Sequence, residues 1–201
     1  MFLIAWSLKG KPLPLVAFMI VITEALLTGM LHLDGLADWA DGRGGKTPDE
    51  ILRIMKDSTN GAFGIGAIIL SLMGKFAAIN SLLEGGKSSL LVLITAPTLS
   101  RWALSFLAWS TPYARSEGGT GAAFVRNVPV SSFVLSTAFV APIVAFTWAS
   151  RSWLQWCLVI GVSVWIRHDS IKRIGGITGD VLGAACEICT VLVFFVGALS
   201  N

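Results

Sequence analysis

Apolar residues in this chain are grouped into long stretches separated by short polar segments. A helix needs about 20 apolar residues to cross the hydrocarbon core of a bilayer. Six stretches approach that length and predict transmembrane helices at 13–31, 63–83, 90–109, 132–149, 153–166 and 181–199. The fifth is short, so it is expected to extend, tilt or dip into the bilayer. The pattern predicts an all-α, polytopic integral membrane helical bundle.

Composition agrees with this class. Apolar residues make up 54% of the 201 positions and charged residues 13%, about half the charged share of a soluble domain. The net charge of +3 is small, and no basic stripe indicates nucleic acid as a partner. We expect residues 1–201 to form a single transmembrane catalytic domain in contact with the lipid bilayer.

Six crossings place the segments 31–62, 110–131 and 167–180 on one side of the membrane. These segments, here called face one, carry nine of the 15 lysines and arginines, against four on the opposite side. Basic loops stay in the cytoplasm, so face one is predicted to be cytoplasmic and the membrane to be the cell membrane. Nine of the 12 acidic residues also lie on face one, which indicates that it is the working face.

The first motif on face one is a set of three spaced aspartates. Asp34, Asp38 and Asp41 are four and three residues apart, which places them on one side of a helix if the first helix continues through them. Neighbouring anions repel one another, and hard oxygen ligands suit magnesium or manganese. The alternative is a solvated acidic helix end balanced by Arg43 and Lys46.

A short amphipathic helix is predicted next. Thr47 is a candidate N-cap, Pro48 suits the first turn, and Glu50 lies at the capping-box position. The apolar side of this helix contains Ile51 and Met55, so we expect it to lie along the membrane surface.

Three charged residues near the end of this helix have two interpretations. Arg53 and Asp57 have the spacing of an ordinary helical ion pair. Alternatively, Arg53 or Lys56 contacts phosphate and Asp57 joins the metal site.

The third motif is a glycine-rich turn that leads into the last apolar stretch. Gly175, Gly176 and Gly179 follow the cations Lys172 and Arg173, and exposed backbone N–H groups at a helix start suit phosphate. The alternative is close helix packing, because Gly175, Gly179 and Gly183 have the G-x-x-x-G spacing that also permits a homodimer.

Several ionisable residues lie within or next to the apolar stretches. Asp180 and Glu187 share a helical side, and buried ionisable groups in membranes are functional candidates. Glu24 and Arg101 are candidates for a mutual ion pair, and His32 either orients a carboxylate or is an interfacial histidine.

Three segments together resemble the cobalamin synthase family, the adenosylcobinamide-GDP ribazoletransferases. They are His32-Leu-Asp34-Gly-Leu-Ala-Asp38-x-x-Asp41-Gly42, Ile54-Met55-Lys56-Asp57-Ser58, and Gly175-Gly176-x-Thr178-Gly179-Asp180-x-x-Gly183-Ala184-x-x-Glu187. The resemblance covers nearly the whole chain in the same order. The family's known members extend some tens of residues before the first motif, so this chain is N-terminally short by comparison.

The resemblance implies both a reaction and its residues. α-Ribazole or its 5′-phosphate attacks the cobinamide-linked phosphorus of adenosylcobinamide-GDP, and GMP leaves, with Mg²⁺ (or Mn²⁺) as the cofactor. The implied metal ligands or bases are Asp34, Asp38, Asp41, Asp57 and Asp180. The implied substrate contacts are His32, Arg53, Lys56, Arg115, Lys172, Arg173, Gly176, Thr178, Gly179 and Glu187. The loop 113–121 around Arg115 matches the family only loosely.

Two other classes of membrane protein share some of these features. A CDP-alcohol phosphotransferase also uses spaced aspartates and magnesium, but its Ala-Arg pair is absent after Gly42. A transporter would explain Glu24, Lys75, Arg101 and Glu187 within helices, but it would place carboxylates near the midplane. Most acids lie instead in loops or at helix ends.

Overall fold

The structure is a computed structural model that describes residues 1–8, 10–85, 87–115, 118, 121–147 and 151–199. The helices, in chain order, are α1 (Phe2–Ser7), α2 (Leu13–Leu27), α3 (Leu31–Asp41), α4 (Pro48–Ile54), α5 (Ala62–Glu84), α6 (Lys87–Leu90), α7 (Val92–Ser110), α8 (Ala122–Val125), α9 (Val130–Phe146), α10 (Ser152–Ile174) and α11 (Gly179–Ala198). A 3₁₀ turn at Gly42–Gly44 follows α3. Within the described ranges no strand forms, and the all-α prediction is confirmed.

Among the described residues, two helices, α5 and α11, are each long and apolar enough to cross a membrane, and α2 with α3 makes a third if this bent pair is one span. The other predicted spans correspond to helices that are shorter or more polar. Helix α9 has 17 residues, α7 contains Pro97 and Arg101, and the last two turns of α10 are charged. The membrane bundle is therefore supported, while the count of six crossings stays a prediction.

The first predicted span is broken before the aspartate motif. Helix α2 ends at Leu27, α3 begins at Leu31, and the two helices meet at 85°. Gly29 and Met30 have left-handed φ values of 57° and 59°, a conformation that terminates a helix. The first helix therefore does not continue through Asp34, but the three aspartates share a helix of their own.

The fifth predicted span extends further than the apolar pattern indicated. Helix α10 runs eight residues beyond Ile166 and stops at Gly175, whose φ of 76° is left-handed. Its polar last turns are held by an ion pair of 2.5 Å between Asp169 and Arg43 of the 3₁₀ turn. The charges that ended the apolar stretch therefore bind another segment of the chain.

Helix α4 begins as predicted but packs differently. Thr47 caps it by accepting the Glu50 backbone N–H at 3.3 Å, while the Glu50 carboxylate accepts the N–H of Lys46. Its apolar residues Ile51 and Met55 are 6% and 3% exposed and belong to a core cluster with α10 and α11. The protein itself therefore covers the apolar side of α4, and its position along the membrane surface stays a prediction.

Helix α11 is central to the bundle and packs against α3, α5, α7 and α10. Its approach to α3 depends on two glycines. A Cβ placed on Gly35 would lie 2.9 Å from the Asp180 carbonyl oxygen and 3.1 Å from the Gly183 Cα. The two backbones are therefore in direct contact, as small residues permit in membrane helices.

We expect Gly35→Ala to lower the free energy of unfolding by about 1–3 kcal/mol, because the added methyl group forces the two backbones apart. Gly66→Ala in α5 is the matched control, since its Cβ meets nothing within 4 Å and alanine favours a helix by up to about 1 kcal/mol. Thermal unfolding in detergent would compare them, and equal midpoints would contradict the close contact.

Candidate active site

The carboxylate of Asp41 holds the end of α3 against the start of α5. Its Oδ2 accepts the N–H of Gly61 at 2.7 Å, and its Oδ1 accepts the N–H of Gly64 at 2.8 Å. A Cβ on either glycine would collide with this carboxylate. Asp41 therefore satisfies two of the free N–H groups at the start of α5, as an N-cap does.

A short pairing of two segments brings Arg115 to the start of α11. The N–H of Ile177 donates to the Pro112 carbonyl at 2.8 Å, and the N–H of Ala114 donates to the Ile177 carbonyl at 2.9 Å. A Cβ on Gly176 would strike the Pro112 carbonyl oxygen. The predicted phosphate-binding glycine thus allows the two segments to meet.

Asp180 lies in the first turn of α11 and has two partners. The Arg115 guanidinium donates to its Oδ2 at 2.9 Å, and the Thr178 hydroxyl donates to the same oxygen at 3.2 Å. Thr178 also caps α11 by accepting the Val181 N–H at 3.3 Å. Gly179 packs tightly, because a Cβ on Gly121 would lie 2.7 Å from its Cα.

Asp38 lies in the middle of the aspartate group. Its half-buried carboxylate is within electrostatic range of Asp34, Asp41 and Asp180. Neither Asp34 nor Asp38 forms a hydrogen bond or ion pair within the described part of the chain. These two side chains are therefore the ones left available for chemistry.

The aspartates do not form a ready-made metal site. Across the described residues, no three histidine, cysteine, aspartate or glutamate side chains are grouped closely enough to hold an ion. Arg115 already occupies one oxygen of Asp180, and both oxygens of Asp41 accept backbone N–H groups. Asp34, Asp41 and Asp180 lie within electrostatic range of Asp38, but binding a cation among these four carboxylates would require side-chain rearrangement.

Asp57 forms hydrogen bonds with a residue close to it in the sequence. Its exposed carboxylate accepts the Thr59 hydroxyl at 2.7 Å and the Thr59 N–H at 3.0 Å, and these hydrogen bonds lower its pKa. No described contact joins Asp57 to the other four aspartates. The Asp-x-Thr spacing is typical of a side-chain turn, and this signal in the sequence was overlooked.

The predicted phosphate-binding cations divide into two groups. Arg115 and Arg173 have structural partners, since Arg173 donates to the backbone carbonyls of Arg43 and Gly45 at 3.2 and 3.4 Å. Arg53, Lys56 and Lys172 are exposed and have no hydrogen bond or ion pair among the described residues. Positions 116–117 and 119–120 of the predicted substrate loop lie outside the described residues.

Glu187 is buried in an ion cluster below the aspartates. It accepts hydrogen bonds from Lys75 Nζ at 2.7 Å and Ser71 Oγ at 2.8 Å, and Lys75 also pairs with Glu24 at 3.0 Å. The expected pairing of Glu24 with Arg101 is wrong, because Lys75 lies closer. In the sequence, Lys75 is a single lysine within an apolar stretch, and this feature indicated a partner for Glu24.

Two further polar residues line the region. His32 is half-buried on α3, within electrostatic range of Arg101 and Glu187. Asn60, which the sequence did not single out, joins Asp34 at a cleft of about 590 Å³ whose other walls are apolar residues of α2, α3 and α5.

Residues 1–198 match the model of the cobalamin-5-phosphate synthase family. The chain belongs to this family. It is 38% identical over 198 residues to the adenosylcobinamide-GDP ribazoletransferase of Pseudomonas putida (strain W619), covering 96% of this chain and 79% of the relative. The Acinetobacter baumannii (strain ACICU) protein of the same name is 39% identical over 197 residues, 96% of this chain and 78% of the relative.

A third relative of that name, from Syntrophobacter fumaroxidans, is 38% identical over 188 residues, covering 93% of this chain and 75% of its own length. No solved structure matches the chain. The cobalamin synthase resemblance of the three motifs is confirmed. This family contains transferases, so the comparison favours an enzyme over a transporter and over a CDP-alcohol phosphotransferase.

We expect Asp41→Ala to lower the free energy of unfolding of this synthase-family protein by about 1–2 kcal/mol, because two N–H groups at the start of α5 lose their acceptor. Asp49→Asn is the control, since it removes an exposed charge from the first turn of α4. Thermal unfolding in detergent would measure both variants. A wild-type midpoint for Asp41→Ala would show that its carboxylate does not hold α5.

Proposed function

We propose that this protein is an adenosylcobinamide-GDP ribazoletransferase. A ribose hydroxyl of α-ribazole, or of α-ribazole 5′-phosphate, attacks the cobinamide-linked phosphorus of adenosylcobinamide-GDP. The bond to GMP breaks, and adenosylcobalamin or its 5′-phosphate is formed. The observation that carries the proposal is the family match over residues 1–198, which includes all the grouped aspartates.

Asp34 and Asp38 are the side chains best suited to the reacting centre. Both are free of hydrogen bonds and ion pairs in the described structure, and Asp38 is within electrostatic range of three other carboxylates. Crowded carboxylates disfavour one another's charge, which promotes binding of either a proton or a cation. One of these two aspartates therefore takes the proton of the attacking hydroxyl.

The donor set suits magnesium or manganese, because all candidate ligands are hard carboxylate oxygens. Asp34 and Asp38 would hold such an ion, with Asp41 and Asp180 nearest to join them. When bound, the ion neutralises phosphate oxygens and stabilises the charge that develops on the leaving GMP. Asp57 is the least suited of the five predicted ligands, since Thr59 already occupies its carboxylate.

Arg115 is the best-placed candidate for binding the diphosphate. Its guanidinium lies against Asp180, so an incoming phosphate could replace that partner with little movement. The exposed cations Arg53, Lys56 and Lys172 would then attract the anionic substrate to the same end of the bundle. Arg173 would contribute indirectly by fixing the turn after α3.

The excess of basic residues on face one supports placing this active site at the cytoplasmic side of the cell membrane. Adenosylcobinamide-GDP is charged at its diphosphate, and α-ribazole is a polar nucleoside that is charged in its 5′-phosphate form. A site at the cytoplasmic ends of α3 and α11 would meet them without transport across the bilayer.

Purified protein in detergent should convert adenosylcobinamide-GDP and α-ribazole into adenosylcobalamin and GMP, with activity lost on chelation and restored by magnesium. Asp34→Asn and Asp38→Asn should each reduce turnover by about 10³-fold or more, because each removes a base or a ligand at the reacting centre. Chromatography of both products would measure the rates.

Glu84→Gln is the matched control, because Glu84 is exposed at the opposite end of α5 and interacts with Asn80. It should retain wild-type turnover. Well-folded wild-type protein that forms neither product with either form of ribazole would contradict the proposed reaction. Full activity in the presence of chelator would contradict only the requirement for magnesium and would leave the proposed reaction standing.

A further inference from the structure

Lys75 forms two ion pairs in the interior of the bundle. Its ammonium lies 2.7 Å from Glu187 and 3.0 Å from Glu24, and all three residues are at most 7% exposed. The proposed reaction uses none of these contacts. Ionisable groups inside membrane helices are costly, so their presence calls for a specific role.

The two carboxylates are bound unequally. Glu187 on α11 accepts from both Lys75 and Ser71, which lie one turn apart on α5. Glu24 on α2 accepts from Lys75, and no second side-chain partner is described for it. The link between α5 and α11 is therefore the stronger part of this cluster.

This link between α5 and α11 lies deeper in the bundle than the proposed site. Glu187 is seven residues after Asp180 on α11, about 10 Å along the helix axis and on the same side. Helix α3 is held between the same two helices, by Asp41 at the start of α5 and by Gly35 against Gly183 of α11. Because α3 contacts both helices, a shift of α11 relative to α5 would also shift Asp38 relative to Asp180.

We propose that Glu187 is a positioning residue that, together with Lys75 and Ser71, fixes α11 against α5 and so sets the distance between Asp180 and the aspartates of α3. This inference rests on the proposed function. It replaces the expectation that Glu187 contacts substrate, because the residue is only 4% exposed and its Oε2 is already bonded to both Lys75 and Ser71. Glu24 anchors α2, which carries none of the proposed site residues.

The test compares Glu187→Leu with Glu24→Leu. Each variant removes one carboxylate from Lys75 and leaves one ion pair, so the two are matched in charge and in added apolar volume. Glu187→Leu should lower kcat by about 10²-fold, the size of effect expected when reacting groups shift by about 1 Å. Glu24→Leu should keep kcat within about threefold of wild type.

Glu187→Gln is the conservative variant, because its side-chain oxygen can still accept from Ser71 and Lys75. It should recover most of the kcat lost in Glu187→Leu, with the KM for each substrate close to wild type in both. Rates are taken on the monodisperse fraction, with thermal midpoints measured in parallel, so that loss of folded protein is separated from loss of turnover.

Equal kcat values in Glu187→Leu and Glu24→Leu, or losses that merely follow the thermal midpoints, would overturn the positioning role and leave the cluster as a stabilising ion pair. If Glu187→Leu instead raised the KM for one substrate at unchanged kcat, a direct substrate contact would replace the proposal. An inactive wild type would contradict the proposed function itself, which is a separate outcome.

Discussion

The direct contact between the backbones of α3 and α11 is the constraint on which the rest of the structure depends. Gly35 and Gly183 allow this contact, and any side chain at Gly35 would meet the Asp180 carbonyl. With the helices this close, the carboxylates of Asp38 and Asp180 face the same end of the bundle. This chain thus brings carboxylates from distant parts of its sequence together by means of two residues with no side chain.

Acidic side chains differ in their partners between the aspartate-bearing end of the bundle and its interior. At the face, Asp41 and Asp180 have partners, whereas Asp34 and Asp38 have neither a hydrogen bond nor an ion pair in the described structure. In the interior, the single ammonium of Lys75 pairs with both Glu24 and Glu187, because water cannot solvate these groups there. Among the grouped aspartates of the described structure, unpaired carboxylates therefore remain at Asp34 and Asp38, at the end of the bundle where the reaction is proposed.

Local signals in the sequence were read correctly where one residue decides the outcome. Thr47 caps α4, and Asp34, Asp38 and Asp41 share one helix. The errors arose where two signals competed. The apolar run from 13 to 31 predicted a helix that continues through Gly29, but the left-handed backbone at Gly29 ends the helix before it. The charged turns after Ile166 indicated a loop, yet Arg43 pairs with Asp169 and permits helix α10 to continue.

By itself, the sequence determined the all-α membrane class, the three motifs and the family, because these depend on composition and on residue order. Only the tertiary structure decided which charges meet, because ion pairs form between helices far apart in the chain. Lys75 rather than Arg101 binds Glu24, and Arg115 pairs with Asp180. Helix α4 packs its apolar side against α10 and α11 for the same reason: an amphipathic pattern specifies burial, and only the packed bundle specifies what covers it.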